Sequence, residues 1–335
     1  MTVPAASVLV PVLNEAAHIR DCVAAMRAQE LAEDYELLLL DGGSTDGTRE
    51  LLDELAGADD RIRVLDNPGR TVPHALNIGL REARGSVVVR MDAHTLYPPR
   101  YLADGLERLR RGDVVWVSGP QLPHGVDAGT RRIALALSTR LGTGGAAYRH
   151  EAAGEHDAAS GFTGLFDRGF VERLGGWDES WPANQDTELA ARVRKAGGRI
   201  VVLPALAAQY VPRGSLRALA RQYRRYGIYR AKTCARHPES SELRHALPPA
   251  LVLATVVAAL PLGPLRIAAR AVIGAYGVGL MATALAAARR APLRDAAALP
   301  AVFATMHATW GSGFLAGCAR FGVPALIARV RRRFG

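Results

Sequence analysis

Cysteine is scarce in this chain. Its 335 residues contain three, Cys22, Cys234 and Cys318, too few and too widely spaced for a disulfide framework or a metal knuckle. No short period runs through the sequence, which excludes collagen-like and low-complexity classes, and an apolar content of 49% excludes disorder. The first strand-to-helix turn reads Pro11-Val12-Leu13-Asn14-Glu15 and lacks the G-x-G-x-x-G fingerprint that a dinucleotide oxidoreductase needs. A G-x-x-x-x-G-K-[ST] phosphate loop is missing too. Residues Met1–Pro11 have no basic n-region, so no signal peptide is expected and the N-terminal domain should stay in the cytosol. His124, His150 and His156 have no ligand spacing and read as loop residues.

The shortage with the largest consequence is of acid at one end. Residues 1–243 hold 31 basic and 31 acidic side chains, whereas residues 244–335 hold 11 arginines and a single acid, Asp295. The net charge of +10 therefore belongs wholly to the last quarter. A basic chain ordinarily raises nucleic acid first, but the neutral N-terminal part carries no such footprint, and no nucleic-acid partner is expected.

That last quarter is otherwise apolar. Three stretches contain no charged residue: Ala246–Leu265, Ala271–Ala288 and Ala296–Ala319, of 20, 18 and 24 residues. A membrane span needs roughly 20 apolar residues, and arginines bracket each run, as suits headgroup contact. A buried helical hairpin is the alternative; three successive runs with basic ends fit a bilayer better. Pro248, Pro249, Pro261 and Pro264 crowd the first run, and His307, Trp310 and Gly311-Ser312-Gly313 interrupt the third. Three full spans would set the Arg329–Arg333 cluster opposite the N-terminal domain, against the positive-inside rule. The expectation is two or three hydrophobic helices in residues 244–335, multi-pass or partly re-entrant. Ahead of them, residues 213–243 read as a basic helix resting on membrane lipid.

The first 212 residues alternate short apolar strands with helices. Strands are expected at Ser7–Val12, Glu36–Leu40, Arg61–Leu65, Ser86–Met91 and Asp113–Ser118, with helices over Glu15–Gln29, up to about Leu55, and over Ala75–Arg84. This pattern implies an α/β domain with a mainly parallel sheet flanked by helices. Ligands of such sheets bind beyond the carboxyl ends of the strands. Asp41 ends one strand and Asp92 another. Asp41-Gly42-Gly43-Ser44 is also ordinary turn chemistry. In Asp92-Ala93-His94, a carboxylate and an imidazole flank one residue and can share a divalent cation and a diphosphate.

At this point the residues resemble a family. Val8-Leu9-Val10-Pro11-Val12-Leu13-Asn14-Glu15, the Asp41–Thr48 segment and Met91-Asp92-Ala93-His94 stand in the order and spacing of family 2 glycosyltransferases, which have the GT-A fold. Gly175-Gly176-Trp177-Asp178-Glu179, Asn184-Gln185-Asp186-Thr187-Glu188-Leu189 and Gln222-Tyr223-Arg224-Arg225-Tyr226-Gly227 continue the likeness. Tyr97-Pro98-Pro99 and His307-x-x-Trp310-Gly311-x-Gly313-Phe314 resemble the succinoglycan-type exopolysaccharide enzymes.

The resemblance implies an inverting transfer of a sugar from a nucleotide-sugar donor, a UDP-sugar foremost, to a polyprenyl-linked or glycan acceptor at the cytoplasmic side of the cell membrane. Asp92 and His94 would hold Mn²⁺ or Mg²⁺ at the family's D-x-D position, with His departing from the second Asp. Asp41 would receive the base, with Pro11 and Glu15 lining the nucleoside pocket. Glu15 reads equally as a first-turn helix acid. Asp186 matches the catalytic Asp that deprotonates the acceptor, and it reads also as a helix N-terminal acid. Gln222, Arg225 and Tyr226 resemble the Q-x-x-R-W motif, with Tyr for Trp, and would meet the diphosphate and acceptor. Transfer onto polyprenyl phosphate itself, or a non-catalytic membrane subunit that keeps the fold, are the alternatives.

Overall fold

A computed structural model describes residues 3–143 and 154–323; His150 and the Arg329–Arg333 cluster lie outside the described residues. The chain divides into two compact units, Met1–Leu122 with Ala147–Tyr210, and Pro123–Ala146 with Val211–Gly335.

The first unit opens with β1 (Ala6–Val12), α1 (Ile19–Arg27), β2 (Tyr35–Asp41), α2 (Thr48–Gly57), β3 (Ile62–Asp66), α3 (Val72–Glu82) and β4 (Val87–Arg90). β5 (Thr95–Leu96), α4 (Tyr101–Leu109), β6 (Trp116–Ser118) and β7 (Gln121–Pro123) follow. Helices α5 (Ala128–Leu137) and α6 (Arg140–Thr143) belong to the second unit. The first resumes with β8 (His156–Asp157), β9 (Gly164–Asp167), α7 (Arg168–Arg173), α8 (Gln185–Lys195), β10 (Ile200–Val202) and β11 (Ala208–Tyr210).

Eight strands form one sheet in the order β3-β2-β1-β4-β9-β6-β10-β8, and β5-β11-β7 form a second. Both faces of the large sheet are covered, so its strands read as continuous apolar runs and successive side chains enter opposite cores. Val8, Val10, Leu37, Leu39 and Val89 pack with Ile19, Val23 and Met26 of α1 and Leu102 and Leu106 of α4. Leu9, Leu38, Leu40 and Val88 pack on the other face with Leu76 and Leu80 of α3 and Leu189 and Val193 of α8.

The sheet is mixed. β1 pairs in parallel with β2 and β4, and β6 with β10, but β9 runs antiparallel to both β4 and β6. β9 is the strand that periodicity does not reveal, because Gly164-Leu165-Phe166-Asp167 is too short to show an alternation. The expected helix from Glu15 starts at Ile19 instead. Asn14 sits in the left-handed region at φ 56°, and the N–H groups of Glu15 and Ala16 bond to Thr48 Oγ1 and Asp46 Oδ2, so the backbone there is held in a loop.

The second unit is helical: α5 and α6, then α9 (Leu216–Arg236), α10 (Leu247–Ala259), α11 (Pro264–Ala287), α12 (Leu293–Ala296) and α13 (Leu299–Phe321). Ser215 caps α9 by accepting from the Ala218 N–H at 3.3 Å. The first charge-free run breaks at Leu260-Pro261-Leu262-Gly263, where Gly263 has φ 52°, so α10 has only 13 residues. The second run lies within α11, whose 24 residues make it the one helix among those described that is long and apolar enough to cross a membrane. The third forms α13 of 23 residues, whose polar groups are met from within the unit. His307 Nε2 donates to the Leu141 carbonyl at 3.2 Å while Nδ1 accepts from the Tyr276 hydroxyl at 2.8 Å. Asp295, buried, takes Arg132 at 3.2 Å and Arg131 at 3.7 Å, which ties α12 to α5.

Candidate active site

The register places three strand ends together. Val12 of β1 stands opposite Asp41 of β2, and Leu9 of β1 opposite Arg90 of β4. The segments that follow these parallel strands emerge at one edge of the sheet, where β1 sends its neighbours in opposite directions and leaves a crevice. Pro11 and Asp41 stand at the ends of β1 and β2, and Glu15, Asp92 and His94 lie in the segments that follow β1 and β4.

The first two loops are bonded to each other. The Asn14 N–H donates to Ser44 Oγ at 2.9 Å, and the Thr45 N–H donates to Asn14 Oδ1 at 2.9 Å. The Glu15 N–H donates to Thr48 Oγ1 at 2.9 Å, and that hydroxyl donates to Asp46 Oδ1 at 2.5 Å. Asp41 is buried; its Oδ1 accepts from both the N–H and the hydroxyl of Ser44, at 3.1 and 2.6 Å, and Oδ2 lies 3.7 Å from Arg49. Much of the Asp41–Thr48 motif is thus a scaffold that holds the β1 loop. Glu15 lies outside α1, which removes the reading of it as a first-turn helix acid; its Oε1 stands 3.1 Å from His94 Nδ1.

Asp92 is gripped from two sides. Its N–H donates to the Tyr97 hydroxyl at 2.7 Å, and its carboxylate lies edge-on to Arg90, with Nε 3.1 Å from Oδ1 and Nη2 3.4 Å from Oδ2. Arg90 is only 3% exposed and its guanidinium lies over the Phe162 ring, 4.7 Å from the centroid. Burial opposes the guanidinium charge, but the negative charges of Asp92 and Asp186 overcome that penalty and raise the Arg90 pKa above its ordinary value. One buried cation is thereby hydrogen-bonded to Asp92 and stabilised also by the charge of Asp186. Burial likewise pushes the Tyr97 phenol well up, keeping it neutral as Asp92's neighbour.

Asp186 is buried in the first turn of α8, just after Asn184, whose φ of 57° turns the chain into the helix. Two residues further, Glu188 forms an ion pair with Arg192 at 2.7 Å, and Arg192 also donates to the carbonyls of Leu174 and Gly176 at 2.8 Å each. Asn77 clamps the Gly175–Glu179 motif from the other side through the Trp177 N–H and carbonyl, both at 2.8 Å. These two motifs anchor α8, and with it Asp186.

Arg90 is the residue of this cluster that pattern reading does not single out; Tyr97 and Thr48 stand in quoted motifs, but their hydrogen bonds to the Asp92 and Glu15 N–H groups join residues of different segments and are not legible there. A charged residue closing the Val87-Val88-Val89 run was the available signal for Arg90.

The donor set suits a divalent cation. Arg90 occupies one edge of the Asp92 carboxylate and leaves each oxygen further lone pairs, and the imidazole of His94 adds a nitrogen. Among the described residues no group of three or more His, Cys, Asp or Glu is placed to hold a metal ion. A site of one or two protein donors completed by substrate phosphates is the usual arrangement for Mg²⁺, and imidazole also suits Mn²⁺.

Gln222, Arg225 and Tyr226 lie on α9 of the second unit. Gln222 Nε2 donates to the Tyr226 hydroxyl at 3.1 Å, and the rings of Tyr223 and Tyr226 are 5.8 Å apart. α9 meets α13 through glycines: a Cβ on Gly227 would run into the Trp310 carbonyl, and one on Gly313 into the Arg224 carbonyl. The Trp310-Gly311-x-Gly313 motif is therefore a backbone-to-backbone seat, Trp310 and Gly313 for α9 and Gly311 for the Pro248 carbonyl of α10.

Comparison with known proteins agrees with this geometry. Residues 7–175 match the model of the family described as glycosyl transferase family 2. The chain is 34% identical over 322 residues to the succinoglycan biosynthesis protein ExoA of Rhizobium meliloti (strain 1021), covering 94% of this chain and 95% of that protein. It is 32% identical over 114 residues to an undecaprenyl-phosphate 4-deoxy-4-formamido-L-arabinose transferase of Aeromonas hydrophila subsp. hydrophila, covering 32% and 35% of the two chains. Among solved structures, a mannosyltransferase from Pyrobaculum calidifontis in complex with GDP-Man and Mn²⁺ superposes with a TM-score of 0.61 at 24% identity, over 94% of this chain and 87% of that one. This likeness shows the fold, which is GT-A.

Proposed function

Because the chain belongs to glycosyl transferase family 2, and is a glycosyltransferase on that ground, we propose that it moves a sugar, with inversion, from a nucleotide-sugar donor to a polyprenyl-linked or glycan acceptor in exopolysaccharide biosynthesis. The observation that supports this most is the buried Arg90, hydrogen-bonded to Asp92 at the proposed diphosphate position and stabilised also by the charge of Asp186 at the proposed base position. Pro11 and Asp41 at the strand ends, with Glu15 in the loop after β1, line the nucleoside side of the crevice. Asp92 and His94 hold Mn²⁺ or Mg²⁺, which when bound supplies Lewis acidity against the charge that grows on the leaving diphosphate. Asp186 takes the proton from the attacking acceptor hydroxyl at Oδ, a step that contributes roughly 10²–10⁴-fold. Gln222, Arg225 and Tyr226 serve the diphosphate and acceptor side.

The protein is membrane-anchored in this reading. α11 supports it, because only 17% of its most apolar window is buried, and Ile267, Val278 and Leu285 are exposed along it. A core helix of a water-soluble protein would be mostly covered. The basic helix rests on headgroups, the segment from residue 244 onward anchors the chain, and the transferase unit works on the cytoplasmic side.

Purified protein in lipid nanodiscs, given a panel of nucleotide sugars and a membrane extract, should transfer one of them with an inverted anomeric centre and lose activity to a chelator. Asp186→Asn should abolish transfer while leaving nucleotide binding within a few-fold. Unchanged turnover by that variant would remove Asp186 as the base. A product in which the sugar is joined directly to a polyprenyl phosphate would establish the second reading, which the undecaprenyl-phosphate relative favours.

A further inference from the structure

The first strand-end motif and the metal motif meet at one hydrogen bond, between Glu15 Oε1 and His94 Nδ1 at 3.1 Å. An ionised carboxylate has only acceptors, so the imidazole nitrogen facing it carries the proton. The lone pair of a neutral ring then sits on Nε2, the other nitrogen. Metal-binding imidazoles characteristically donate their second nitrogen to a carboxylate, which fixes the tautomer and the ring plane.

Both partners are held by their backbones. The Glu15 N–H is bonded to Thr48 Oγ1, and its carbonyl accepts from the N–H groups of His18 and Ile19 at 2.9 Å each. On the other side of the bond, the Asp92 N–H is fixed on Tyr97, and the Thr95 N–H donates to the Asp92 carbonyl at 3.2 Å. The Glu15 side chain is 21% exposed and that of His94 36%, so the pair borders the crevice without being sealed from an incoming cation.

We propose that Glu15 is a positioning residue for the metal site: it accepts the Nδ1 proton of His94 and so presents the Nε2 lone pair to the divalent cation. This inference rests on the metal-dependent reading above, and it gives Glu15 work on the cation side of the nucleoside pocket. The same reasoning accounts for a histidine at the second metal position. An aspartate there would set two carboxylates against each other, whereas an imidazole turns Glu15 into a support.

The test uses the full chain in nanodiscs with Mn²⁺ alone as probe, titrated by electron paramagnetic resonance. Glu15→Ala should weaken Mn²⁺ binding by roughly 10–100-fold, and Glu15→Gln, whose amide oxygen still accepts, should recover most of it. In a His94→Asp background Glu15→Ala should no longer weaken Mn²⁺ binding, since no ring remains to be oriented. Long-range ¹H–¹⁵N spectra of the metal-free protein, labelled at histidine, should show the Nδ1-protonated form of His94 in the native chain and a tautomer mixture in Glu15→Ala. Equal Mn²⁺ affinity in the native chain and Glu15→Ala overturns the proposal, as does an equal loss in the His94→Asp background or an unmoved tautomer. Native protein that binds no Mn²⁺, with or without nucleotide, overturns the metal reading itself. That outcome is separable from the others because they all require a native chain that binds.

Discussion

In the first unit the motif loops are joined by side-chain pairs, whereas in the second the motif helices α9 and α13 approach each other backbone to backbone. Around the strand ends, Asn14 with Ser44, Glu15 with His94 and Arg90 with Asp92 are all polar pairs. Between α9 and α13 the equivalent positions are Gly227 and Gly313, whose merit is the absence of a side chain. The difference shows that a recurring motif in such an enzyme does one of two jobs. It fixes charged side chains at the strand ends, or it lets two helices approach closely enough to act as one body. Both jobs leave a strong sequence signal, and composition alone does not separate them.

The side-chain half of that comparison is tested most severely at Arg90. Arg90→Met leaves the buried Asp92 carboxylate without its ion-pair partner and removes the positive charge that Asp186 feels, and breaking a buried pair from one side costs about 3–5 kcal/mol. Chemical unfolding should show a loss of that size. Adding Asp92→Asn to Arg90→Met should return part of it by removing one of the stranded charges. If Arg90→Met unfolds like the native chain, the first unit does not depend on paired charge in its interior and the contrast with the second unit fails.

The backbone half is tested at Gly313. Gly313→Val puts a branched carbon against the Arg224 carbonyl, and forcing extra volume into a close-packed contact typically costs about 1–3 kcal/mol. The thermal midpoint should fall, and cysteine accessibility at Cys234, buried in the native chain, should rise as α9 and α13 separate. Nucleotide binding by the first unit should persist. A parallel loss of nucleotide binding would show that the units do not respond separately.

How much of this was legible beforehand follows the same division. The alternating pattern revealed β1 to β4, the carboxylates at their ends and the helix carrying Asp186, because apolar periodicity and strand-end chemistry are local. The start of α1 was misread, since the N–H groups of Glu15 and Ala16 are satisfied from a loop some thirty residues away. Arg90 escaped for a related reason: a buried arginine is explained only by carboxylates, and the second of them, Asp186, lies far along the chain. In the apolar quarter, composition exposed α11 and the prolines of the first run signalled its shortening, but the tight seat of α13 depends on which backbone each glycine meets.

A graded effect, small at each pH step, distinguishes the units by acid. His245 ends the turn before α10, where its Nδ1 accepts from the Glu242 N–H at 3.1 Å and its ring stacks near Trp310. Burial, reinforced by the positive charges of Arg230 and Arg244, pushes its pKa down to about 3. The unfolded chain takes up this proton below about 6.5 and the folded chain does not. Its contribution to stability is therefore complete above pH 6.5 and declines as pH falls toward 3, at up to about 1.4 kcal/mol per pH unit. In the first unit, by contrast, Asp59 is held well below the usual carboxylate range, first by its hydrogen bond to Arg61. The stability it lends is present above about 3.9 and is lost only in stronger acid. Between pH 6.5 and 4.5 the second unit should weaken while the first holds. Thermal midpoints in nanodiscs should fall across that window, and His245→Gln, which keeps an acceptor but cannot titrate, should flatten the fall. Nucleotide binding should be no more acid-sensitive in the native chain than in His245→Gln. An undiminished slope in that variant would place the acid sensitivity elsewhere and remove His245 as the difference between the two units.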